Sequence, residues 1–236
     1  MVGGRLGPLV MLMAGLVLVA VGFRHMAAYT AMGAGDATMV ALKSAKTPSV
    51  RAMRSAIVGR NNALSWMHFA QPLADNAALY YELANRARDS GPDSGPDSGK
   101  LRDALLDRSQ TLHRNALGAG PARPYEWLRL ALIQYRRDPQ AAKLNPLLRM
   151  SYRTAPAEPQ LAFERIKLVY AARTLIDDDI REHVERDIRL VVRFRHGFLA
   201  EFGRDSFAFP WLRERLRGYP DIEARLISGY LLLPTP

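Results

Sequence analysis

Apolar and polar positions along this chain recur with the 3.6-residue rhythm of helices, except in an opening stretch where the rhythm vanishes. Leu6 to Phe23 carries no charge and lies between Arg5 and Arg24. As a helix it is about 27 Å long, close to the hydrocarbon thickness of a bilayer. No later stretch matches it, so the pattern predicts a transmembrane anchor over 6–23, after a short flank at 1–5. A cleaved signal peptide is the rival reading. Its charged start would be a single arginine, its apolar run is longer than usual, and the small-residue sites Ala31-Met32-Gly33 and Gly33-Ala34-Gly35 lie well past the run. Flanking charge (Arg24, Lys43 and Lys46 against Arg5) keeps the body cytoplasmic if taken literally. Long domains translocate regardless of such charge. The expectation is therefore an inner-membrane protein with a periplasmic body, its orientation left open.

Beyond the anchor the pattern predicts helices separated by proline or glycine. Residues 24–88 form an anchor-proximal group broken at Thr47-Pro48, with Pro72 opening a stripe of Leu79, Tyr80 and Leu83. The tandem DSGP run over 89–99 has no apolar side chain to bury and reads as a solvated, flexible loop. Helical periodicity resumes with Leu101, Leu105, Ser109 and Leu112, and stops at Gly118-Ala119-Gly120-Pro121. Pro124 opens the stripe Trp127, Leu128, Ala131, Leu132, Tyr135. Leu144, Leu147, Leu148 and Ser151 form the next, and another follows Pro159. Asp177 to Asp179 read as an N-cap and first turn ahead of Ile180, Val184, Ile188, Val191 and Val192. No useful length alternates with period two, so the chain reads as all-α, built from antiparallel pairs.

Trp127 and Leu161 are 34 residues apart, each just after a proline, which is the tetratricopeptide (TPR) period. Residues 100–205 are therefore expected to form a TPR-like α-α array. Phe207 to Leu212 and Leu226 to Leu233, within 206–236, supply an apolar cap; a docking face for a membrane partner is the alternative. On a TPR-like register Tyr125, Tyr135, Arg136 and Tyr170 point toward a groove that binds partners.

Composition adds less. There is no cysteine, which removes disulfides, Cys-ligated metals and thiol nucleophiles. The net charge of +10 suits anionic partners, although interspersed signs such as Arg181-Glu182 also fit plain solvated helix faces. The five histidines make no close ligand pair and read as scattered surface residues, so no metal is expected. There is no G-x-S-x-G elbow and no glycine-rich phosphate loop. Glu158, Glu164 and Asp177 to Asp179 are explained by helix termini without a glycan-cleaving carboxylate pair. No catalytic residue and no cofactor is expected. Nucleic acid is not expected either, for want of a recognition motif.

The stretch Pro124-Tyr125-Glu126-Trp127-Leu128-Arg129-Leu130-Ala131, followed by Ser151-Tyr152-Arg153-Thr154-Ala155-Pro156-Ala157-Glu158-Pro159-Gln160-Leu161, resembles the small membrane-anchored, TPR-like proteins encoded within bacterial exopolysaccharide biosynthesis clusters, the VpsP type. The likeness spans roughly residues 101–205 plus the anchor. It implies a non-catalytic scaffold in polysaccharide production or export, with partners among the synthesis and export membrane proteins; a basic groove formed by first helices is a place for an acidic glycan or a partner's extended segment. A general envelope-assembly or secretion adaptor and a glycan-active enzyme are the alternatives.

Overall fold

The computed structural model describes residues 6–33, 35–44, 46–89 and 97–232; the flank 1–5, the DSGP repeat over 90–96 and Leu233 lie outside them. Among the described residues there are eleven helices and no strand, so the chain is all-α. They divide into two compact units, Met1–Pro121 and Ala122–Pro236. The division at Pro121 places the helix after Lys100 in the first unit.

The first unit begins with α1 (Leu6–Gly33), long and apolar enough to cross a bilayer. Every side chain from Pro8 to Met26 is exposed. The helix does not stop at Phe23: it continues to Gly33, and there Ala28 and Met32 are buried together with Ala63. It is followed by α2 (Asp36–Lys43), α3 (Val50–Trp66), α4 (Ala70–Asp89) and α5 (Asp97–Ala119). Both ends of the loop expected over 89–99 are thus helical. The Thr47-Pro48 break is realised between α2 and α3, where the Ser49 hydroxyl accepts the Ala52 N–H at 3.1 Å as an N-cap. α1 and α3 run antiparallel and approach closely because Gly59 has no side chain. A Cβ there would sit 2.7 Å from the Ala31 carbonyl oxygen. α4 and α5 pair through Leu73, Ala74, Ala77, Leu112 and Ala116, and the buried Ser109 hydroxyl donates to the Ala77 carbonyl at 2.8 Å. His113 on α5 is fully buried, which corrects the reading of all five histidines as surface residues.

The second unit holds α6 (Pro124–Arg137), α7 (Ala141–Thr154), α8 (Pro159–Ala171), α9 (Asp178–Asp205), α10 (Phe209–Leu216) and α11 (Pro220–Leu231). α6 pairs with α7 and α8 with α9; α6 also meets α8 and α7 meets α9, so two helical hairpins are stacked. α9 bends at Arg195, whose backbone leaves helical angles (φ −149°, ψ 47°). One continuous core, from Leu128 and Leu148 through Ile166 and Ile188 to Leu226, runs through all six helices. The apolar tail is core in part: Leu212, Leu216, Ile222 and Leu226 are buried as α10 and α11 pack on α9, whereas Leu231 and Leu232 are exposed. Phe207, at the turn into α10, is exposed in a left-handed conformation (φ 56°).

The hairpins repeat with a step of 35 residues rather than the 34 expected. Glu126, Leu130, Ala131 and Ile133 on α6 correspond to Leu161, Arg165, Ile166 and Leu168 on α8, and all eight are buried. The step is also marked by tyrosine. The Tyr135 hydroxyl donates to the Ala171 carbonyl at 2.8 Å, and the Tyr170 hydroxyl to the Ser206 carbonyl at 3.1 Å, each 36 residues ahead. Each satisfies a carbonyl at the end of a helix, where no intrahelical partner exists.

Candidate functional site

The four expected groove residues take different parts in this arrangement. Tyr135 and Tyr170 are half-buried braces whose hydroxyls are held by backbone carbonyls. Tyr170 also makes edge contacts with Phe202 and Trp211, at 5.8 and 5.3 Å between ring centroids. Tyr125, at the start of α6, is exposed and donates to Gln160 Oε1 at 3.1 Å; partial burial of its ring raises its pKa. Arg136 is exposed.

At Asp177–Asp179 the expected cap takes another form. The Asp177 side chain makes no capping bond. Arg149 of α7 instead bridges Asp177 at 2.5 Å and Asp179 at 2.7 Å, tying one hairpin to the next. Hydrogen bonding from Arg149 lowers the Asp179 pKa. Glu158 stands at the N-cap of α8 and Glu164 pairs with Lys167 at 2.6 Å.

A polar cluster is enclosed between α7, α8 and α9. Arg165, fully buried, donates to the Ser151 carbonyl and hydroxyl and to the Ala155 carbonyl at 2.9 Å. These donors satisfy carbonyls at the end of α7. Its remaining nitrogen, Nη1, lies 3.9 Å from Asp187 Oδ2. The Tyr152 ring lies between this guanidinium (4.3 Å to the centroid) and the His183 imidazole (4.8 Å between rings). The Tyr152 hydroxyl faces the Asp187 carboxyl in a contact too loose for a well-formed hydrogen bond. Burial pushes Asp187 up to about 7, raises Tyr152 and lowers Arg165 and His183. A carboxyl titrating near neutrality is what an acid–base catalyst needs, but Asp187 is 1% exposed and out of a substrate's reach. The cluster holds helices together.

One open feature of the second unit is a cleft of about 710 Å³ where α9 meets the start of α11. Arg193 and Phe194 of α9 line one side, and Tyr219, Asp221, Ile222 and Arg225 the other. Phe194 is 68% and Tyr219 43% exposed. The Arg189 guanidinium lies over the Tyr219 ring at 4.3 Å, which fixes that ring in place. Arg193 and Arg225 are exposed and, among the described residues, have no ion-pair partner. Two unpaired guanidinium groups beside two open aromatic faces suit a ligand that carries carboxylates on a flat, partly apolar body. Asp221 sets a limit on how much negative charge enters. The sequence carries one signal for it, Arg189-x-x-x-Arg193-Phe194, two arginines one helical turn apart with an adjoining phenylalanine, on a helix whose interspersed acids equally fit a solvated face.

The molecule is thus an all-α protein with one N-terminal helix able to span a bilayer and an aromatic, basic cleft on its second unit. No family model, curated protein or solved structure matches the chain. Among the described residues no group of histidine and acidic side chains is arranged to hold a metal ion.

Proposed function

We propose that this is a non-catalytic accessory protein anchored in the inner membrane by α1, its body on the periplasmic side, which supports production or export of an extracellular polysaccharide. The observation that carries the anchored reading is the split character of α1. From Pro8 to Phe23 it presents an unbroken exposed apolar surface, while near its end Ala28 and Met32 are buried in the body. A soluble protein gains nothing from leaving such a surface bare. Cleavage at either small-residue site would strip α3 of its packing partner, so the uncleaved helix is the better reading. The stacked hairpins support a TPR-like array, an architecture that offers contact area instead of reactive groups. The polysaccharide assignment rests on the likeness around Pro124 and Pro159. Partners are then synthesis or export membrane proteins, and the cleft is the place for an acidic glycan or an acidic partner segment.

Cells lacking the protein are expected to release less polysaccharide, and the wild-type chain to restore it. A chain with Leu16→Arg and Val19→Arg is expected to leave the membrane fraction and to restore nothing, since each central charge costs about 3 kcal/mol of insertion. Unchanged release in the deletion strain overturns the polysaccharide reading. For the cleft, Arg193→Glu with Arg225→Glu is expected to weaken binding to a soluble polyuronate by at least about tenfold, read by titration calorimetry. Equal binding by both chains removes the cleft from the proposal.

A further inference from the structure

The end of α3 and the turn after it lie beside the last residues of the apolar run on α1. Phe23 meets Trp66 edge-on, with ring centroids 5.9 Å apart, and Tyr29 meets Phe69 at 6.0 Å. Trp66 and Tyr29 stay partly open at 40% and 61% exposure. Arg24 is the first charge after the run. It donates from Nε and Nη2 to the Trp66 carbonyl, at 3.1 and 2.8 Å.

This arrangement solves a problem specific to one location. Trp66 is the last residue of α3, so its carbonyl has no partner within the helix. In water such a carbonyl is hydrated. At the edge of hydrocarbon it is costly unless a donor is brought to it. Arg24 is that donor, with its charge placed one residue outside the uncharged run. Tryptophan and tyrosine, each with an apolar body and a polar edge, are the side chains that settle at the level of lipid headgroups.

We infer that Trp66, Phe69, Tyr29 and Arg24 form a lipid-interface belt that seats the first unit on the bilayer surface at a fixed depth, so α1 enters the body with no free tether. The inference rests on α1 being the anchor. Its ligand is the bilayer interface itself, reached by continuity with the exposed face of α1.

The test uses the full chain in vesicles of phosphatidylethanolamine and phosphatidylglycerol, with Trp66→Phe as the reference. The difference between the two emission spectra isolates Trp66 from Trp127 and Trp211, and the reference keeps the apolar packing on Phe23. Trp66 emission is expected to be lost mostly to lipids brominated near the glycerol backbone, less to lipids brominated near the chain ends, and little to aqueous acrylamide. A Trp66 signal quenched by acrylamide and untouched by either lipid, in protein that still floats with the vesicles, overturns the belt and leaves the anchor standing. Protein that fails to float overturns both.

Discussion

Arg60→Ala is expected to destabilise the first unit by about 3–5 kcal/mol, the cost of breaking a buried ion pair by removing one partner. Arg60 is 1% exposed and makes three separate bonds. Nη1 donates to the Met32 carbonyl at 2.7 Å, Nη2 to Asp36 at 2.9 Å and Nε to Asp75 at 3.2 Å. Met32 is the penultimate residue of α1, so the guanidinium satisfies a carbonyl at that helix's end while joining α2, α3 and α4. Gly35 makes room for it, since a Cβ there would come within 2.4 Å of Nη1. Without the arginine, Asp75 retains the Gln71 amide as a donor, at 2.7 Å, and remains a buried carboxylate that has lost its cation. Most of the loss is therefore uncompensated charge. Arg60→Met with Asp75→Leu should recover a large part of what Arg60→Met alone loses. Thermal unfolding in detergent, followed by circular dichroism, measures both. Equal loss in the single and double variants would mean that the pair is not the source.

Asp187→Asn is expected to remove a pH dependence of stability from the second unit. The Asp187 carboxyl stands at about 7 in the fold against 3.8 ordinarily, because burial disfavours its charged form. Between those values the folded chain holds a proton that the unfolded chain has released. Its stabilising contribution is complete below about pH 4 and is lost as pH rises through 7. The displacement corresponds to about 4 kcal/mol. The amide that replaces the carboxyl does not titrate, so the variant should gain about that much on the wild type between pH 4 and pH 8. The surrounding groups are Arg165, Tyr152, Arg186 and His183. Of these, His183 works the other way. Its lowered pKa makes the fold lose stability as pH falls, so only the difference between variant and wild type isolates Asp187. Denaturant unfolding at both pH values reads it. Parallel curves for the two chains would rule out a titrating Asp187.

Much of the helical layout was legible in the residues. The uncharged run over 6–23, the Thr47-Pro48 break, the starts at Pro124 and Pro159 and the stripe from Ile180 to Val192 are local features. Each acts through neighbours within a turn or two, by backbone geometry, proline's missing N–H or side-chain period. The stripe beginning at Leu101 was less clear. Leu101 is exposed while Leu106 and His113 are buried, because the partner helix α4 selected the face.

What required the folded chain is contact between residues far apart in order. Nothing near Arg60 announces that Met32 and Asp75 will share it, and nothing near Arg24 announces the Trp66 carbonyl. Nothing near Tyr135 or Tyr170 announces that their hydroxyls end on carbonyls 36 residues ahead. The cleft likewise needs the return of α11 to bring Tyr219 and Arg225 beside Arg193. Period and proline report which residues are helical and which face is apolar. They carry no information about which buried polar group will meet which, since that pairing is set by the packing of whole helices.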